Sequence, residues 1–210
     1  MAEIIPARDP HAVDLAVSVL HGGELVAFPT DTVYGLGAVA SNRDAVRALF
    51  VAKGRPPSKP LPLFVADSAM AAWVADVTPV CHNLMEAFWP GALTIVMRKL
   101  PGYDSPALAG SPTVALRVPD HDVPRSIVRV LREPITGTSA NRSGMRPPVS
   151  AAEVAFQMGE LVALVIDGGR SRSTTESTII DTTAEGGPKV LRAGAVRNED
   201  LERVLGKPLT

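Results

Sequence analysis

The feature that most constrains this chain is its alternation of helical and extended apolar periodicities, each segment closed off by glycine or proline. Val13, Ala16, Val17 and Leu20 recur at helical spacing between Asp9-Pro10 and Gly22-Gly23, which predicts a helix capped by Asp9 with Pro10 in its first turn. Glu24 to Phe28 then reads as a short strand. Ser41-Asn42 caps a second helix carrying Val46, Leu49 and Phe50, with Gly54 as its terminator. Leu61 to Ala66 is a buried strand, and Thr78-Pro79 opens a helix that Trp89-Pro90-Gly91 ends. Leu93 to Met97 and Thr113 to Val118 are strands, separated by an ordered loop rich in Gly, Pro and Ser over residues 101–112. Asp122-Val-Pro124 opens a helix with Val123, Ile127, Val130 and Leu131 on one face, and Ser150-Ala-Ala-Glu153 is a capping-box pattern. Leu161 to Asp167, Ser177 to Asp181 and Lys189 to Arg192 are the last strands, and Asn198 to Leu205 a final helix. Late strands that succeed one another without helices between them call for a mixed sheet. The expected fold is α/β, residues 1–210 as a single domain, with a twisted, mixed open sheet flanked by helices.

Composition removes several classes of function. Hydrophobic residues make up 46% and charged residues 20% of 210 positions, which excludes a disordered chain. The longest apolar run, Ala69 to Ala75, falls far short of the roughly 18 residues a membrane span needs, so no membrane role is expected. The N-terminus lacks the charged-then-apolar layout of a signal peptide, and the single cysteine, Cys81, excludes an internal disulfide. A cytoplasmic protein is the expectation. The balance of 21 basic against 22 acidic residues argues against a general nucleic-acid coat but leaves room for a local basic site.

Three segments carry more polar chemistry than a scaffold requires. Pro29 to Gly37 follows an apolar strand, where open α/β sheets place ligands, and combines hydroxyls with two glycines that let backbone approach a ligand. Its Gly35-x-Gly37-x-x-Ala40 spacing fails as a dinucleotide fingerprint, because Arg55 stands where a ribose-binding acid belongs. Lys53-Gly-Arg55-Pro-Pro-Ser-Lys59 holds three cations in a stiff loop, suited to converge on a phosphate or carboxylate, and equally to a solvated turn. Thr136 to Pro147 gathers hydroxyls, Asn141, Arg142 and Arg146, but Gly137-Thr-Ser139-Ala-Asn141 is not a nucleophile elbow. His11, His21, His82 and His121 read as surface or capping residues, and Cys81-His82 has no partners at metal-ligand spacing. Arg117 inside an apolar strand needs an anionic partner, from the protein or from a ligand, and Arg192 ends another strand.

In order along the chain, Phe28-Pro-Thr-Asp-Thr-Val-Tyr-Gly-Leu-Gly37, Lys53-Gly-Arg-Pro56 with Lys59-Pro-Leu61, Trp89-Pro-Gly-Ala-Leu-Thr94, Ser139-Ala-Asn141 with Ser143-Gly144, Glu176-Ser-Thr-Ile-Ile-Asp181 and Leu191-Arg-Ala-Gly194 resemble the threonylcarbamoyl-AMP synthase family, the YrdC-type domain. The resemblance covers about residues 20–195 and is closest to the short form without an extra C-terminal domain. It implies a YrdC-like fold with a concave basic face. It also implies that L-threonine, bicarbonate or CO2, and ATP give threonylcarbamoyl-AMP and pyrophosphate, for tRNA threonylcarbamoyladenosine synthesis by a downstream threonylcarbamoyl-transferase complex. Position by position, it assigns Thr32, Arg117, Ser139 and Ser177 to threonine, and Arg55, Lys59, Thr113, Asn141, Ser150 and Arg192 to ATP. Arg55 and Lys59 would stabilise charge, with no acid or base of the conventional kind, and Mg2+ would arrive with ATP rather than on protein ligands. Phe64 stands where some members place a histidine, Thr138 where proline is common, and Ser143 to Ser150 runs one residue longer than usual.

Two other classes compete. A basic concave face could bind tRNA or other RNA without forming an adenylate, although aromatics at 4% leave few stacking platforms. A carbamoyl-adenylate domain of the hydrogenase-maturation type normally sits within a much longer chain.

Overall fold

The strand–helix alternation is realised, with the strands divided between two sheets. The computed structural model describes residues 2–209. It runs β1 (Glu3–Pro6), α1 (Ala12–His21), β2 (Val26–Phe28), β3 (Gly35–Gly37), α2 (Arg43–Lys53), β4 (Leu63–Phe64), α3 (Ser68–Ala71), α4 (Pro79–Phe88) and β5 (Leu93–Arg98). β6 (Thr113–Arg117), α5 (Asp122–Leu131), β7 (Ile135–Thr136), β8 (Thr138–Ser139), α6 (Ala151–Met158), β9 (Leu164–Asp167), β10 (Thr178–Asp181), β11 (Lys189–Arg192) and α7 (Asn198–Leu205) complete it.

One sheet is ordered β1-β9-β2-β3-β8 and the other β11-β10-β5-β6-β4-β7. Both are mixed: β1, β9 and β2 run parallel, as do β10 with β5 and β4 with β6, while the remaining pairs are antiparallel. The expected mixed α/β architecture is present, in two sheets where one was anticipated. The reason lies at Gly137. β7 pairs with β4 on one side of it and β8 with β3 on the other, so the chain changes sheets within five residues. Thr136 N donates to Ala38 O at 2.9 Å and Gly137 N to Pro62 O at 2.8 Å, stitching the seam. No side chain fits at Gly137, where a Cβ would come within 2.2 Å of the Phe64 ring.

Helix ends follow local chemistry, with one correction. The Asn42 side chain accepts from Asp44 N and Ala45 N, Thr78 from Cys81 N, and Ser150 from Glu153 N. Glu153 answers by accepting from Val149 N, one residue before the partner a capping box uses. α1 begins at Ala12, later than expected, because Asp9 spends its carboxylate on His11 N at 2.8 Å and leaves Pro10 in the preceding turn. Residues 101–112 form an ordered loop as anticipated. A 3-10 turn at Pro106–Leu108 buries Ala107 and Leu108, and Leu61 N donates to Ala107 O at 2.8 Å.

Candidate active site

Arg117 is the last residue of β6, in register with Phe64 of β4, so an apolar strand delivers a guanidinium that is only 4% exposed. Its Nε donates to Gly91 O at 2.8 Å, one terminal nitrogen to Thr32 Oγ1 at 3.1 Å, and the other to Asp31 Oδ1 at 2.7 Å. Five N–H groups less these three leave two for a ligand. The Phe64 ring lies 5.7 Å below the guanidinium carbon. Burial pulls the Arg117 pKa below its usual value and Asp31 opposes that pull, so the ion pair keeps the charge in place. Thr30 Oγ1 donates to Val33 O at 2.7 Å and accepts from Thr32 N at 3.0 Å, fixing the turn that aims Thr32. Thr32, Arg117, Ser139 and Ser177 line one small chamber of about 20 Å3, which a ligand larger than water must widen to enter.

Beside it lies a cavity of about 560 Å3, lined by Lys53, Arg55, Thr113, Asn141 and Arg192 among others. Gly137, Thr138, Ser139, Glu176, Ser177 and Arg192 wall both spaces, so the two share a partition. Lys53, the last residue of α2, is 3% exposed; its Nζ donates to Ser139 O and, at 2.8 Å, to Asn141 O. Burial lowers its pKa from the usual 10.5 to about 8, with Arg55 pushing the same way and Glu176 opposing. Asn141 Nδ2 donates to Arg142 O and Met145 O, which fixes the amide and turns its unpaired Oδ1 away from those carbonyls. Arg192 reaches Glu176 Oε1 at 2.9 Å and Ser177 O at 2.8 and 3.1 Å. Arg55 is turned onto its own loop, donating to Lys59 O and Pro60 O.

Eight of the ten residues singled out from sequence thus line the paired cavities. Lys59 and Ser150 do not: Lys59 lies on the exposed loop, and Ser150 caps α6. Asp31 and Glu176 carry no role in the sequence reading, and Lys53 only a share in the three-cation loop. Lys53 was visible within the basic segment, but a cation in a last helical turn is explained by the dipole alone. Gly35 and Gly37 also receive a different explanation. They form β3 and make room for Phe28, whose ring would meet a Cβ at 2.7 Å from either. Outside these cavities, His121 caps α5 and faces a polar cavity of about 380 Å3 with Asp31 and Arg172. Among the described residues no group of three or more His, Cys, Asp or Glu is placed to hold a metal ion, and no helix is long and apolar enough to cross a membrane.

The family model described as "Telomere recombination" (Sua5_yciO_yrdC) matches residues 18–194. The chain belongs to the Sua5/YciO/YrdC family. Within it, threonylcarbamoyl-AMP synthase of Bacillus subtilis is 40% identical over 204 residues, covering 96% of this chain and 58% of the relative. The Pyrococcus abyssi protein of the same name is 39% identical, covering 93% of this chain and 57% of its own. This Sua5/YciO/YrdC member therefore spans a little over half the length of those two relatives. A crystal structure of P. abyssi Sua5 complexed with L-threonine superposes with a TM-score of 0.92 at 36% identity, covering 100% of this chain and 62% of that one.

Proposed function

We propose that this family member is an L-threonylcarbamoyladenylate synthase, condensing L-threonine, bicarbonate or CO2, and ATP. The observation that carries this reading is the partition: a chamber built round a buried guanidinium shares a wall with a cation-lined cavity large enough for a nucleotide. Threonine's carboxylate would take the two remaining N–H groups of Arg117, with Thr32, Ser139 and Ser177 offering hydroxyls to the rest of the molecule. The triphosphate would lie against Arg55 and Arg192, with Thr113 and Asn141 around it. On the family resemblance Lys59 and Ser150 are also proposed for the nucleotide, although neither lines the cavity in this structure.

The chemistry suits these groups. The free amine attacks CO2, forming an N–C bond and releasing a proton. A carbamate oxygen then attacks the α-phosphorus, and the bond to the bridging oxygen breaks to free pyrophosphate. Two anions must approach, so positioned cations supply the larger part of the catalysis. Both carboxylates lining the cavity are engaged, Glu176 with Arg192 and Asp181 with Thr183. Magnesium would accordingly be held by phosphate oxygens and water, and when bound it would neutralise triphosphate charge. We place the reaction in the cytoplasm, with the product passed to the complex that modifies tRNA. The test is mass spectrometry of products after incubation with all three substrates, beside ATP–pyrophosphate exchange. Exchange requiring both threonine and bicarbonate is expected; exchange indifferent to threonine overturns the reading.

A further inference from the structure

We propose that Glu176 is the binding group for the amino acid's ammonium, and that the two substrates together open its ion pair with Arg192. The inference rests on the synthase reading and adds a substrate-binding residue to it. Among the described residues lining the small chamber, Glu176 is the sole carboxylate, and it lines the nucleotide cavity as well. An α-amino acid whose carboxylate sits on Arg117 brings a cation that needs acceptors on the partition side. The hydroxyls there are partly committed: Thr32 Oγ1 accepts from Arg117, while Ser177 Oγ accepts from Arg192 and shares a hydrogen bond with Thr94. Thr138 and Ser139 add neutral hydroxyls to the partition, and Glu176 adds its one carboxylate among the described lining residues.

The ion pair is built to open. Its 2.9 Å contact joins side chains that are 37% and 33% exposed, the setting in which a salt bridge contributes little. Each substrate wants a different half of it: the phosphates want Arg192, and the ammonium wants Glu176. A carboxylate left unpaired in a cavity for triphosphate would repel it, so the ammonium that covers Glu176 also favours nucleotide. Opening the pair is needed once for both ligands, which makes their binding mutually reinforcing. The backbone under Glu176 is held for this, with Ala195 N donating to Glu176 O at 3.0 Å. An ammonium anchored there lies on the partition, where, once it has given one proton to solvent, its nitrogen can attack CO2 and the resulting carbamate can reach the α-phosphate.

The experiment is calorimetric titration of the full chain with L-threonine and with its 2-hydroxy analogue, 2,3-dihydroxybutanoate of matching stereochemistry, in which a neutral hydroxyl replaces the ammonium. Each is titrated with and without magnesium α,β-methylene-ATP. The unsubstituted chain should prefer threonine to the analogue by about tenfold or more, and the nucleotide should tighten threonine several-fold. In Glu176→Gln the preference and the tightening should both vanish, while the nucleotide alone binds no more weakly than before, a readout that also verifies folding. Glu176→Asp should restore part of the preference. A Glu176→Gln chain that binds threonine within about twofold of the original, or still rejects the analogue, overturns the assignment. Failure of the unsubstituted chain to bind threonine at all overturns the synthase reading itself, and this assignment with it.

Discussion

A guanidinium with three N–H groups committed to Gly91, Thr32 and Asp31 has little freedom left, so Arg117 is a fixed recognition group rather than a mobile charge. Arg117→Lys keeps the charge and loses the fork; threonine KM should rise by about tenfold to a hundredfold in steady-state kinetics, with kcat less affected. Gly137→Ala drives a methyl into the Phe64 ring, and denaturant titration should record a loss of about 1–3 kcal/mol together with weakened threonine binding. Lys53 gives a pH prediction. Its pKa of about 8 lies below the usual 10.5, so between those values the unfolded chain binds more protons, and stability from this group rises as pH climbs. A triphosphate reverses the shift by favouring the ammonium; nucleotide binding at pH 8 should therefore take up a fraction of a proton, read by calorimetry in buffers of different ionisation enthalpy. Arg117 could be found in sequence because a charge in an apolar strand demands an explanation. Lys53 could not be assigned, since its acceptors, Ser139 and Asn141, lie 86 and 88 positions away.

The longer helices were legible from their apolar spacing and caps, whereas α3, four residues capped by Asp67, was too short to show a period. Asn42 accepts two backbone N–H groups, and Asn42→Ala should cost about 1 kcal/mol in urea unfolding. Nucleotide affinity should hold, because Gly54 and the Lys53 contacts secure the other end of α2. β3 and β8 were not legible. β3 reads Gly-Leu-Gly, with no alternation to detect, and exists because β2 and β8 flank it and Phe28 packs on its glycines. β7 and β8 are two residues each, below any periodicity. The same nonlocal pairing moved the start of β4 from the expected Leu61 to Leu63.

At the scale of the molecule, sequence order predicted mixed strand directions but not their division between two sheets, since that depends on which edges meet at residue 137. If the proposed substrates bind the folded chain alone, each should raise its stability by about 2.7 kcal/mol at a hundred times its Kd. Scanning calorimetry should accordingly show a Tm increase of about 5–10 °C for either saturating ligand. Because the polypeptide passes from one sheet to the other inside the partition, a molecule occupying both compartments fastens the two halves like a clasp. Amide exchange at Thr136 and Gly137 should slow most when threonine and nucleotide are present together, and each alone should slow it less.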